Sequence, residues 1–83
     1  MSNSYFVKVS YHNERVWSLL TRDEKFMPTS EVMSWFLENL KIPGSKSFRY
    51  WTFYRNAFED HGLFEFQYLD DAILFKMTFG GDS

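Results

Sequence analysis

The sequence predicts an α+β domain, a two-layer sandwich in which an antiparallel sheet of about four strands carries helix cover on one face. Segments that alternate between apolar and polar residues, typical of half-buried strands, occur towards both ends of the chain. A capped amphipathic segment, typical of a helix, lies between them. The 83 residues are 45% apolar and 24% charged, which is the composition of one globular domain over residues 1–83.

The N-terminal part predicts two strands and a loop. Residues 5–11 alternate, and one face carries Tyr5, Val7, Val9 and Tyr11. Residues 15–20 predict a second strand, with a short helix beginning at Asn13 as the alternative. Residues 21–28 are polar and charged around two apolar side chains and predict a loop.

The clearest helical pattern begins at Ser30 and ends at Lys41. Hydroxyls at Thr29 and Ser30 can accept hydrogen bonds from the first-turn amides, and Pro43 cannot continue the helix. Lys41 complements the negative end of the helix dipole. The predicted apolar stripe consists of Val32, Met33, Phe36, Leu37 and Leu40.

The C-terminal half predicts two more strands and one ambiguous segment. Residues 47–55 are rich in β-formers, residues 56–62 suit a turn, and residues 63–68 alternate, with Phe64, Phe66 and Tyr68 inward. Residues 69–81 fit either a strand or a short helix with Asp70 as N-cap and Gly80 as its C-terminal stop. Caps at both ends favour the helix. If residues 15–20 were irregular, the fold would approach a ferredoxin-like arrangement lacking one strand.

The end of the chain resembles a known group of proteins. It carries the pattern Asp71-Ala72-x-Leu74-Phe75-Lys76-x-x-Phe79-Gly80 directly after an aromatic strand. This pattern resembles the ends of small uncharacterised proteins of tailed phages, which combine an aromatic strand, an Asp-Ala pair and a Leu-Phe-Lys-x-x-aromatic-Gly tail. The resemblance covers roughly a quarter of the chain and implies a phage-type accessory protein. It implies no activity and no binding residues.

Composition and the first residues exclude several classes of protein. Without cysteine the chain has no disulfide, no zinc ribbon and no thiolate nucleophile. Its apolar runs are far shorter than the ~20 residues of a membrane-spanning helix. Residues 1–4 have neither the basic region nor the following apolar region of a secretory signal. We therefore expect a cytoplasmic protein without membrane contact, in the host cytoplasm if a phage encodes it.

No catalytic or cofactor-binding motif emerges from the sequence. Glu59, Asp60 and His61 are neighbours, but consecutive loop residues rarely direct their ligand atoms at one ion, so a solvated acidic turn is the simpler interpretation. Residues 43–47 include a Gly-Ser-Lys-Ser sequence similar to that of a phosphate-binding loop. They follow a predicted helix, however, and lack the first glycine of such a loop. We therefore predict no enzymatic activity, no cofactor and no metal.

The strand around residues 48–55 carries the candidate partner-binding residues. Arg49, Trp51, Phe53 and Arg55 share one face, and Trp35 at the edge of the helix stripe extends the patch. Interface cores are enriched in these residue types. Ten Phe, five Tyr and three Trp also exceed what a small core readily hides.

We therefore expect a protein-interaction module that binds a protein partner or a second copy of itself as a homodimer. The alternative is single-stranded nucleic acid, whose bases would stack on the rings of the same strand. The net charge of −2 weighs against this alternative because such binding depends on neutralising phosphates. A purely structural interpretation, with one face of the strand in the core and the other at the surface, is simpler than either.

Overall fold

The computed structural model describes residues 4–20, 25–55 and 58–80. Within these ranges the chain forms five strands and two helices, in the order β1 (Tyr5–Ser10), β2 (Trp17–Leu20), β3 (Lys25–Pro28), α1 (Ser30–Asn39), β4 (Trp51–Tyr54), β5 (His61–Phe66) and α2 (Leu69–Phe79). The strands form two antiparallel sheets, one of three strands and one of two. The predicted α+β two-layer sandwich is confirmed. Its strands are divided between two sheets, where the sequence predicted one.

The larger sheet has the strand order β1-β5-β4. Because β5 is antiparallel to both of its neighbours, β1 and β4 run parallel to each other and α1 lies between them in the chain. This is the split β-α-β arrangement of ferredoxin-like folds, here with three strands among the described residues. The variant weighed from the sequence therefore matches the topology of this sheet, although β2 is a strand of the second sheet rather than irregular.

Both helices cover one face of the larger sheet. Side chains alternate across a strand, so Phe64 and Phe66 of β5 point to the helix side and are fully buried. Phe75 of α2 contacts both rings, with ring centroids 4.7 and 5.4 Å apart. Phe36 of α1 stacks on Phe75 at 5.7 Å. This cluster of four phenylalanines is the centre of the core, because each ring removes ~150–250 Å² of largely apolar surface from water.

The second sheet corrects two predictions near the N-terminus. The strand predicted over residues 15–20 begins only at Trp17, because Val16 and Trp17 both donate backbone hydrogen bonds to the Asn13 carbonyl oxygen and form a turn there. The alternative helix at Asn13 does not form. The loop predicted over residues 21–28 is also wrong in its second half, where β3 pairs with β2; residues 21–24 lie outside the described residues. Phe26 stacks on Tyr11 at 4.3 Å, a long-range contact that periodicity within the segment does not reveal.

Helix α1 begins where the sequence predicted and ends earlier. The Thr29 hydroxyl accepts a hydrogen bond from the Val32 amide at 3.3 Å, which confirms the N-terminal cap. The helix ends at Asn39, and Lys41 instead pairs with Phe48 in an isolated antiparallel bridge. The apolar stripe is narrower than predicted. Val32, Phe36 and Leu40 are buried, whereas Met33 and Leu37 are exposed because they lie on the side of α1 away from α2.

Helix α2 settles the ambiguity at the C-terminal end in favour of a helix. Its N-cap is Tyr68 rather than Asp70, and no side chain caps it. Tyr68 is exposed rather than inward, since the chain leaves the sheet after Phe66. Gly80 forms the C-cap with a φ of 72°, a left-handed conformation that glycine adopts without steric cost. Among the described residues, no helix combines the length and the apolar character that crossing a membrane requires.

The last two strands are also shifted from their predicted bounds. Of the strand predicted over residues 47–55, only Trp51–Tyr54 forms strand β4. The strand predicted over residues 63–68 spans His61–Phe66, so the intervening turn is shorter than expected. Residues 56 and 57 of that turn lie outside the described residues.

Candidate functional site

Three of the five predicted partner-binding residues lie against the core. Trp51 stacks on Phe36 with ring centroids 3.8 Å apart and planes inclined by 16°. Phe53 packs against Phe64 at 6.3 Å, on the same side of the sheet. Trp35 packs edge-to-face on Phe75 of α2 at 5.5 Å. All three side chains are half-buried, so they supply packing and little free surface.

The two arginines of that set are held by contacts within the chain. Arg49 Nε donates to the buried Asp71 carboxylate at 2.9 Å, and Arg49 Nη2 donates to the Asn39 carbonyl oxygen at 2.7 Å. These bonds join the approach to β4 to the end of α1 and the first turn of α2. Arg55 is exposed, and its Nη1 donates to the Phe26 carbonyl oxygen at 3.3 Å. The structure therefore does not bring the five residues together on one surface, and their role in partner binding stays a prediction.

The opposite face of the three-stranded sheet is turned away from both helices. We call it the open face, and it consists of Phe6, Lys8, Tyr50, Thr52, Tyr54, Leu63 and Glu65. The register places Glu65 of β5 between Phe6 and Thr52, and Leu63 between Lys8 and Tyr54. Phe6 and Tyr54 keep 47% and 48% of their surface exposed, because both helices pack on the other side.

Two aromatic rings meet over the central strand of the open face. The Phe6 ring on β1 and the Tyr54 ring on β4 approach to 6.4 Å between centroids, although β5 separates their strands. Such tilted ring pairs are favourable beyond the area they bury. The pair therefore forms a continuous apolar ridge across the sheet.

Hydrogen bonds fix the polar groups of the open face. Tyr54 Oη donates to Glu65 Oε1 at 2.8 Å. Hydrogen bonds from the Ser4 hydroxyl, and next from Tyr54, hold the pKa of Glu65 below its ordinary value, and Tyr50 contributes in the same direction. The hydrogen bond that Tyr54 donates to this carboxylate raises the pKa of Tyr54. Glu65 is consequently ionised at neutral pH, and the tyrosines around it are preorganised.

The exposed rings are the surplus that the composition predicted. All the aromatic residues lie in the described parts of the chain. Six are exposed, namely Phe6, Phe48, Tyr50, Tyr54, Phe58 and Tyr68. Three of these, Phe6, Tyr50 and Tyr54, lie on the open face. The two arginines that flank β4, Arg49 and Arg55, had instead favoured its other face. The signal that could have located the exposed face is the preference of Trp and Phe for the interior and of Tyr for half-exposed positions.

The acidic turn before β5 is explained without a bound ion. Ligand atoms of Glu59, Asp60 and His61 lie within 4.8 Å of one another. The hydrogen bond between the His61 ring and Asp60, 3.3 Å from Nδ1 to Oδ1, lowers the pKa of the Asp60 carboxyl. Glu59 and Asp60 are exposed. Exposed carboxylates next to one histidine are explained by this local hydrogen bond and by solvation.

Comparison with protein-family models, with curated proteins and with solved structures finds no match. The resemblance of residues 71–80 to tailed-phage proteins therefore stays an expectation. The open face offers an apolar ridge, fixed hydroxyls and two side chains of opposite charge, Lys8 and Glu65. Chemically, this arrangement suits binding by burial of rings and by directed hydrogen bonds.

Proposed function

We propose that this protein is a small, non-enzymatic interaction module that binds another protein through the open face. The observation that carries the proposal is the ridge of Phe6 and Tyr54, two half-exposed rings that meet over the central strand. Aromatic side chains of this kind dominate interface cores and binding hot spots. Because Glu65 holds the Tyr54 ring in place, little rotamer freedom is lost when a partner covers it.

A protein suits this surface better than single-stranded nucleic acid does. The carboxylate of Glu65 lies in the middle of the face, where it would repel the phosphates of a stacked strand. Arg49 and Arg55 are engaged in bonds within the chain, so they do not supply a row of free cations beside the rings. Nucleic-acid grooves combine stacking rings with several such cations.

The wider role is part of the same proposal. The resemblance of residues 71–80 supports a phage-type accessory protein that acts in the cytoplasm of a host cell. Self-association through the same face is the second candidate, since pairing two open faces would hide the ridges of both copies. Light scattering at two protein concentrations separates this candidate from binding to a different protein.

The test compares two tyrosines of equal exposure. Affinity capture from the cells that make the protein, followed by mass spectrometry, identifies a partner, and calorimetry then gives its Kd. We expect Tyr54→Ala to weaken this binding about tenfold or more, as the loss of a hot-spot ring does. Tyr68→Ala is the matched control, because Tyr68 is also 48% exposed and lies outside the open face. It should change the Kd less than about twofold.

Two results would count against the proposal. One is a partner whose Kd is unaffected by Tyr54→Ala. The other is salt-sensitive binding of short RNA or DNA oligonucleotides in a gel shift that disappears in Arg55→Ala, a change at an exposed arginine. That second result would favour the nucleic-acid alternative.

A further inference from the structure

Among the described residues, no strand pairs with the outer edge of β1. β1 is an outer strand of its sheet, and within residues 4–20, 25–55 and 58–80 only β5 pairs with it. The Tyr11 amide continues this ladder by donating to the Asp60 carbonyl oxygen at 2.9 Å, so the odd-numbered residues of β1 turn their backbone groups towards β5. By alternation, Phe6 and Lys8 turn theirs outward. Such an edge is a template for an added strand.

A groove lies beside this edge on the helix side of the sheet. Its cavity volume is about 340 Å³, and it lies between β1 and α2. Tyr5 and Val7 line it from the strand, and Leu69, Ala72, Ile73 and Lys76 line it from the helix. Ala72 has a small side chain, which leaves room under the helix. The groove therefore lies where a further strand beside β1 would direct every second side chain.

Charge decides between a second copy of the chain and a different partner. The side chains of Phe6 and Lys8 lie on the open face, on either side of Val7. In any two-fold pairing of two β1 edges that keeps both residues in the ladder, the two Lys8 ammonium groups lie opposite each other or two residues apart. Like charges at this spacing oppose pairing, and an edge lysine is a known protection against it. A strand that places a carboxylate opposite Lys8 instead gains a favourable pair of opposite charges.

We propose that the outer edge of β1 binds an extended acidic segment of a partner protein, which adds to the sheet as a fourth strand. Alternate side chains of this segment are apolar and enter the groove under α2. Those between them lie on the open face, where a Glu or Asp pairs with Lys8. This inference rests on the proposed function, because it names the class of partner segment that a protein-interaction module of this shape would take.

The probe is a fluorescent eight-residue peptide of alternating valine and glutamate, and its binding is measured by anisotropy. We expect saturable binding that is lost when alternate peptide amides are N-methylated, because the added methyl groups remove the donors of the new ladder. In Lys8→Glu the affinity should fall about fivefold, and a valine–lysine peptide should bind this variant better than the wild type. Lys46→Glu, an exposed charge reversal in the loop after α1, is the matched control and should change neither affinity.

Hydrogen exchange gives the structural readout. Added pairing should protect the amides of Phe6 and Lys8, which face outward in the free protein. The proposal is overturned if the valine–glutamate peptide does not bind, if Lys8→Glu leaves its affinity unchanged, or if those two amides become protected by dimerisation alone as concentration rises. Tyr54→Ala separates the two proposals. If this variant loses the identified partner while the peptide fails to bind the wild type, the open face functions in binding and the edge does not.

Discussion

Replacing Gly62 with alanine tests how the β2–β3 hairpin is joined to the three-stranded sheet. Gly62 is buried on β5, and the indole ring of Trp17 lies directly over it. An added Cβ would overlap Cζ2 of this ring and would lie 2.7 Å from its Cη2 and 3.0 Å from the Tyr54 carbonyl oxygen. Carbon atoms pack at ~3.5–4.0 Å, so the ring must move.

The stability that Gly62→Ala loses depends on the contacts that hold the Trp17 ring in place. Trp17 Nε1 donates to the Val9 carbonyl oxygen at 3.1 Å, and the ring packs on Phe64 at 5.1 Å. Overpacking costs ~1–3 kcal/mol, and disturbing the buried hydrogen bond costs ~0.5–1.5 kcal/mol more. The backbone of Gly62 is not left-handed, so alanine there regains ~0.4–1 kcal/mol by restricting the unfolded chain. We expect a net loss of about 2 kcal/mol, a large share of the ~4–12 kcal/mol that a chain of this length has.

Urea unfolding followed by circular dichroism measures this loss as a lower midpoint with an unchanged slope. The control is a double-mutant cycle with Trp17→Phe, which removes the far end of the indole and with it the overlap. In the Trp17→Phe background, Gly62→Ala should cost less than about 0.5 kcal/mol. Equal costs in both backgrounds, or a cost below about 0.5 kcal/mol in the wild type, would refute the packing described for Trp17.

Three further substitutions test other parts of the structure. Arg49→Ala leaves the Asp71 carboxylate, which is only 5% exposed, without its partner. We expect this variant to lose about 3 kcal/mol of stability in urea unfolding, and Arg49→Lys to lose less. A loss below about 0.5 kcal/mol in Arg49→Ala would show that the pair does not stabilise the fold. Because the pKa of Glu65 is lowered in the folded state, its ionised carboxylate stabilises the fold at pH values above the ordinary pKa of 4.5. This stabilisation is lost as the pH falls through the folded-state pKa. The stability advantage of the wild type over Glu65→Gln should therefore shrink between about pH 6 and pH 3, and a constant difference would contradict this assignment. Thr29→Ala should cost about 1 kcal/mol in thermal or urea unfolding and Thr29→Ser much less, whereas equal losses would show that the hydroxyl does not cap α1.

Local patterns in the sequence predicted the elements whose signals are contained within one segment. The cap at Thr29 and the spacing of buried residues identified α1, and Gly80 marked the end of α2. The alternation of β1 and β5 identified their buried faces. In each case the preference depends on neighbours within a few residues, so no knowledge of the fold was needed.

Elements that depend on partners in another segment of the chain were missed or misplaced. β3 has four residues and no clear period, and it is paired because β2 lies beside it and because Phe26 stacks on Tyr11. Lys41 was assigned to the helix, but its pairing with Phe48 takes it out of the last turn. Contacts of this kind join one segment of the chain to another, and the pattern within a single segment carries no information about them.

The candidate site shows the same division. The amino-acid sequence alone determined that this chain has more aromatic side chains than its core encloses, because ring area and chain length set that balance. Which rings stay outside was decided by the tertiary structure. Both faces of β4 carry rings. The packing of Trp51 on Phe36 and of Phe53 on Phe64 turns one face inward and leaves Tyr54 towards solvent. The position of α1 over the sheet therefore buries the Trp51 side of β4 and leaves its Tyr54 side exposed.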